Sequence, residues 1–205
     1  MDRYIYSELN SWVLKERRKP LLLRGARQVG KTWLVEKLAR EEFENYLKID
    51  FEENTELISI FEGDLDPQKI CAELELRTGI DIIEGKTILF IDEIQICPRA
   101  IISLRYFYEK MPLLHVIAAG SLLEFAFSEI SFPVGRIQPL EIHPMNVSEF
   151  LLALGYNEAA EICRNPIAEV SQTTHEFLIE QLRIYWLVGG MPECIKVYAS
   201  TKSIK

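Results

Sequence analysis

Cysteine is scarce and scattered in this chain. Its four cysteines (Cys71, Cys97, Cys163, Cys194) form no C-x-x-C pair, and the three histidines (His115, His143, His175) do not gather beside them. Neither a zinc site nor a disulfide framework is expected, and reduced thiols in a cytoplasmic protein fit better. Long apolar runs are missing too. None approaches the roughly 18 residues that cross a bilayer, so no membrane partner is expected. The opening MDRYIYSELN has no basic stretch followed by an apolar one, so no secretory signal is expected either. Repeats and low-complexity tracts are absent.

Positive charge is short overall, and the net charge is -8. The deficit is uneven. Residues 1–40 hold ten Lys and Arg against four Asp and Glu, while the remainder holds 13 against 27. The basic end, with LKERRKP, is one reason to consider nucleic acid. A solvated helix end followed by a phosphate site accounts for the same charge, and the acidic remainder repels a polyanion. With 48% hydrophobic and 26% charged residues in 205, the chain reads as an ordinary globular protein: one domain, with room for a small appendage.

What is present alternates. PLLLR, NYLKIDF, TILFID, LLHVIAAG and RIQPLEI read as five strands, the last weakened by Pro139 as suits a sheet edge. Between and around them SELNSWVLKERR, GKTWLVEKLAREEF, TELISIFEG, PQKICAELELRTG, PRAIISLRYFYEK and SLLEFAF read as helices. Asp66 before Pro67 reads as cap and first turn, and Gly79 as the stop. Most strands are continuously apolar, which predicts a mainly parallel sheet covered on both faces. From about Asn146 onward the pattern is helical only, so a boundary is expected there.

The segment GARQVGKT, Gly25 to Thr32, matches G-x-x-x-x-G-K-[ST] between a strand and a helix. Glycines permit backbone angles closed to other residues and let main-chain N–H groups face a phosphate. The helix that follows offers unpaired N–H groups and a positive dipole end. Lys31 sets a cation against the β and γ phosphates, and the Thr32 hydroxyl completes a Mg²⁺ shell. The expected cradle is Gly25, Ala26, Arg27, Gln28, Val29, Gly30, Lys31, Thr32 and Trp33. Arg24 and Arg27 flank it; they either touch phosphate or pair with acids.

TILFIDEIQ places Asp92 and Glu93 at the end of a buried strand, where carboxylates are costly unless they open onto a cleft. Asp92 is expected to hold Mg²⁺ through water, and Glu93 to polarise the water that attacks the γ phosphate. Ser121, after the strand VIAAG, either reaches the phosphate or caps the next helix with Glu124. Arg136, after Gly135, is expected either to stabilise charge on the transferring phosphoryl group, from its own chain or a neighbour's, or to be a surface arginine. No [NT]KxD segment for guanine is present. The Gly189–Gly190 pair reads as a helix end before Pro192. Tyr106, Phe107, Tyr108, Tyr185 and Trp186 read as core or domain-contact residues.

RGARQVGKTWL, TILFIDEIQICP, AAGS, GRIQPLEIHPMNVSEFL and GGMPECIKVY, in this order, resemble the AAA-type ATPases of bacteria and archaea that carry an uncharacterised C-terminal domain. The resemblance runs from about Trp12 to the end of the chain. It implies a three-layer αβα P-loop NTPase fold with a five-stranded sheet over residues 1–145, binding ATP with Mg²⁺. Lys31, Thr32, Asp92 and Glu93 take the roles above, Ser121 matches the polar residue after the fourth strand, and Arg136 matches the glycine–arginine pair. Residues 146–205 would then be helices that begin a C-terminal domain, mostly absent here. The expected activity is Mg²⁺-dependent ATP hydrolysis coupled to movement of those helices or of an effector domain, in a homo-oligomer or with a protein partner. A nucleotide-gated switch with negligible hydrolysis and a DNA-associated ATP-binding protein are the alternatives.

Overall fold

Five short runs assemble into one sheet. In this computed structural model, which describes residues 3–121, 135–165 and 169–204, they are β1 (Leu21–Arg24), β2 (Asn45–Asp50), β3 (Thr87–Asp92), β4 (His115–Gly120) and β5 (Gln138–Glu141). Their order is β2-β3-β4-β1-β5, and every neighbouring pair is parallel. Parallel neighbours cannot be joined by a tight turn, so each connection needs a crossover. Helix α2 (Lys31–Glu42) joins β1 to β2; α3 (Ile58–Glu62) and α4 (Pro67–Thr78) lie between β2 and β3; α5 (Pro98–Lys110) joins β3 to β4. All residues of β3 and β4 are buried, as strands covered on both faces must be. β5 pairs with β1 alone and carries Pro139 opposite Leu22, so the proline costs the sheet little at its edge.

The helices begin and end for local reasons. Asp66 accepts a hydrogen bond from the Gln68 N–H at 3.0 Å to open α4, and Gly79 closes it in the left-handed region. Helix α1 (Tyr6–Val13) stops short of the basic segment that extended it in the sequence reading. Arg18 folds back there, donating to the carbonyls of Val13 and Lys15 at 2.8 Å each. The TELISIFEG segment is likewise not one helix, since a 3-10 turn (Thr55–Leu57) precedes the short α3. The helix expected at SLLEFAF, with Glu124, lies outside the described residues.

Two compact units are present, Ser7–Ile142 and a second made of Met1–Tyr6 with His143–Lys205. The division falls at Ile142/His143. The first unit's core includes Leu47, Ile49, Phe51, Phe61, Leu89, Ile91 and Leu104, with Phe51 and Phe61 edge to face at 5.5 Å. The second holds α6 (Val147–Ala153), α7 (Asn157–Arg164), α8 (Gln172–Val188) and α9 (Pro192–Thr201) around Met145, Phe150, Leu151, Ala160, Ile195 and Tyr198. Asn146 and Glu149 form a capping box on α6, and Arg3 reaches Glu149 Oε1 at 3.0 Å with both side chains buried.

Gly189 ends α8 at φ 78, with its N–H on the Tyr185 carbonyl at 2.7 Å. Gly190 answers a different need. A Cβ there would stand 2.4 Å from the Met145 carbonyl, and its own carbonyl accepts from the Met145 N–H at 2.7 Å. Of the aromatics expected in the core or at a domain contact, Phe107 is buried, Tyr185 donates to the Met145 carbonyl, and Trp186 is 70% exposed.

Candidate functional site

The loop after β1 is shaped by close approach. Gly25 sits at φ 146, and a Cβ there would lie 2.1 Å from the Ile142 carbonyl oxygen. The Ile142 N–H donates to the Arg24 carbonyl at 2.7 Å, so the chain beyond β5 runs alongside the loop with no room for a side chain. Gln28 at φ 65 and Gly30 at φ 94 turn the chain through left-handed positions, an arrangement that aims successive amides into one concavity. No side chain caps α2 at Gly30, which leaves its first-turn N–H groups for a ligand.

Lys31 crosses this loop. Its Nζ donates to the carbonyls of Gly25 and Ala26 at 2.9 Å each, and the residue is only 7% exposed. Burial lowers its pKa, opposed by the negative charges of Glu93 and Asp92. Within the loop Val29 is fully buried, so its side chain anchors the core and only its main chain can face a ligand. Arg27 donates to Glu52 Oε1 at 2.6 Å in an exposed pair. Trp33 stands 39% exposed on the first turn of α2.

The acidic pair meets the loop across β4, the strand that separates β1 from β3. β4 ends in Ala118, Ala119 and Gly120, which raise no bulky wall. Thr32 Oγ1 donates to Asp92 Oδ2 at 2.8 Å. Asp92 is 5% exposed, and burial pushes its carboxyl upward against the Thr32 hydroxyl, the Glu93 N–H and the Lys48 charge. Glu93 has φ 49 and ψ 41, a left-handed conformation that side chains disfavour. Its Oε2 accepts from Gln95 Nε2 at 2.5 Å. Ser121 follows β4 at the same edge of the sheet, its Oγ buried and without a hydrogen-bond partner among the described residues.

Arg136 is not brought to this edge. It precedes β5, and β5 runs parallel to β1 with Gln138 opposite Leu21, the first residue of β1. The loop follows the last residue of β1, so the two lie at opposite ends of the strands. Arg136 Nε instead donates to Glu109 Oε1 at 3.0 Å, a carboxylate it shares with Arg105. Of the places open to Arg136, this pairing sets it away from the loop of its own chain.

Lys48 and Asp50 were missed in the sequence. Lys48 Nζ lies 3.3 Å from Asp50 Oδ2 and 3.9 Å from Asp92 Oδ2. Their signal was the alternation of NYLKID, which sends Leu47 and Ile49 into the core and residues 48 and 50 the other way.

A hydroxyl and a carboxylate 2.8 Å apart are hard oxygen donors. Among the described residues no three His, Cys, Asp or Glu gather into a metal cage. Mg²⁺ suits such a place, because it takes one or two protein oxygens and fills its remaining positions with water and phosphate.

A family profile described as AAA domain matches residues 17–151. Among solved structures, Thermotoga maritima RuvB, a Holliday junction branch migration motor, aligns over 98% of this chain at 17% identity and a TM-score of 0.55. C. elegans PCH-2 aligns over 100% at 15% and 0.52, and Drosophila ORC bound to DNA over 94% at 14% and 0.53. At these identities the likeness is one of fold. The alignments cover 64% of the PCH-2 chain, 61% of RuvB and 58% of ORC, so this chain spans less than two thirds of each. No curated protein sequence matches. Among the described residues no helix is long and apolar enough to cross a membrane.

Proposed function

The chain belongs to the AAA domain family, and we propose that it binds ATP at the Gly25–Thr32 loop and hydrolyses it with Glu93 as general base. Nucleotide binding and ATPase activity are supported at the level of the family. The observation that carries the finer reading is the meeting of Thr32 with Asp92 at 2.8 Å, beside a buried Lys31 and an uncapped helix.

Each residue's part follows from its place. The loop amides and the first turn of α2 hold the phosphates. Lys31 exchanges the Gly25 and Ala26 carbonyls for the β and γ phosphates, stronger acceptors for its charge. Thr32 and Asp92 would hold Mg²⁺, which when bound offsets charge on the phosphates. Glu93 accepts the proton of the attacking water as its oxygen bonds to the γ phosphorus and the bond to the bridging oxygen breaks. Ser121 offers at the same edge a hydroxyl that has no partner among the described residues. Arg136 has no route to this centre in its own chain, so its part in catalysis is to serve a neighbouring copy's phosphate, in a homo-oligomer.

Coupling to the helical segment is supported by Ile142, the last residue of the sheet unit, whose carbonyl lies against Gly25. Several of the basic residues near the start are engaged within the fold, which speaks against a nucleic-acid footprint. Arg3 is paired with Glu149, Arg18 with backbone carbonyls and Lys31 with the loop.

The test is a Mg-ATP titration paired with a phosphate-release assay. Glu93→Gln keeps binding and loses turnover by about 100-fold or more, while Lys31→Ala loses binding. Equal turnover in wild type and Glu93→Gln refutes the assigned base. Binding without release in the wild type replaces the enzyme with a nucleotide-gated switch.

A further inference from the structure

Gln95 belongs to neither the loop motif nor the acidic pair, yet its side chain is joined to Glu93. Its Nε2 donates to Glu93 Oε2 at 2.5 Å. The opposite end, Oε1, is buried and meets no donor among the described residues. Charge decides this orientation, since a reversed amide would set its oxygen against the carboxylate. The backbone supplies a second, separate observation. Glu93 holds φ 49 and ψ 41, and this kink starts the 3-10 turn Ile94–Ile96, closed by the Ile96 N–H on the Glu93 carbonyl at 3.0 Å. Ile94 is fully buried and pins the turn to the core. Strain at Glu93 and an unspent buried acceptor at Gln95 both oppose folding, and they coincide at one place.

We propose that Gln95 positions the attacking water: its amide N–H fixes Glu93, and its Oε1 accepts the hydrogen that the water keeps. This rests on the hydrolytic reading above. A water ready for attack has two O–H groups to place. Glu93 takes the proton of one; the other needs an acceptor, and a buried carbonyl oxygen without a donor is one. As the water oxygen bonds to the γ phosphorus, the electron pair of the broken bond leaves with ADP. Glu93 holds the released proton and passes it on to phosphate or solvent. Gln95 neither gains nor loses a proton.

Two near-isosteric variants test this in steady-state phosphate release and in Mg-ATP binding by calorimetry. Gln95→Met removes both hydrogen-bonding ends, whereas Gln95→Glu keeps an oxygen and turns a second carboxylate toward Glu93. Both lower kcat by about 10- to 100-fold, with KM and Kd for Mg-ATP within about twofold of wild type. The double variant Glu93→Gln/Gln95→Met falls by less than the product of the two single losses, because the two side chains place one water together. Wild-type kcat in Gln95→Met overturns the proposal and leaves the hydrolytic reading standing. So does a multiplied loss in the double variant. Loss of nucleotide affinity in both single variants assigns Gln95 to the fold of the turn and overturns the proposal too. A wild type that binds Mg-ATP and releases no phosphate overturns both readings together.

Discussion

His115 opens β4, the strand whose far end carries Ser121, and it is 4% exposed. Trp12 and Phe43 meet its ring edge to face, at centroid distances of 5.7 and 4.6 Å. Neither ring nitrogen makes a well-formed hydrogen bond among the described residues, and the Val13 backbone beside the ring only partly opposes the effect of burial. Burial, aided by the nearby Arg18 charge, lowers its pKa from 6.5 to about 4. The imidazole is therefore neutral in the fold, while the unfolded chain takes up a proton at higher pH. Stability from this group is whole above pH 6.5 and is lost as pH falls toward 4. Between pH 7.5 and pH 5 linkage gives a loss of about 2 kcal/mol as an upper value. Urea unfolding of wild type and His115→Phe at the two pH values reads it directly. The carboxylates are common to both proteins, so the difference between the two pH responses isolates the imidazole. His115→Phe is expected to lose about 2 kcal/mol less than wild type on acidification. Equal losses would show that the buried ring is not excluding its proton, and the reasoning would fail.

Gly25→Ala forces a Cβ against the Ile142 carbonyl at a positive φ, so thermal unfolding should show a loss of about 2 kcal/mol or more. Nucleotide affinity should fall with it, and unchanged stability would refute the close approach. Arg136→Ala should leave stability within about 0.5 kcal/mol, since its pair with Glu109 is exposed. Its turnover should fall, and mixing it with Glu93→Gln should recover part of the activity if the arginine serves a neighbour. Mixed samples no faster than the separate ones would refute donation between copies.

The sheet and the loop were legible because both depend on local spacing. Continuous apolar runs named the parallel strands, and two glycines before Lys31 and Thr32 named the turn. Asp66, Pro67 and Gly79 bounded α4 correctly, because caps act within one turn. Contacts made by strand order were not legible. Lys48 reaches Asp92 only because β2 pairs with β3 in a register that sets Asp50 beside Asp92. Gln95 meets Glu93 through a left-handed kink that no glycine announced. The sequence leaves Arg136 open between its own chain, a neighbour and the surface, and its position before a parallel strand sets it at the edge opposite the loop. The early end of α1 depends on Arg18 turning back on its own carbonyls, which helical spacing does not encode.

Ile142 and Gly25 have no slack between them. A shift of the loop and a shift of the polypeptide at Ile142 therefore cannot be independent, and by reciprocity any coupling between them acts equally in both directions. If the loop holds a phosphate ligand as proposed, a pull on the chain after Ile142 should weaken or strengthen that hold.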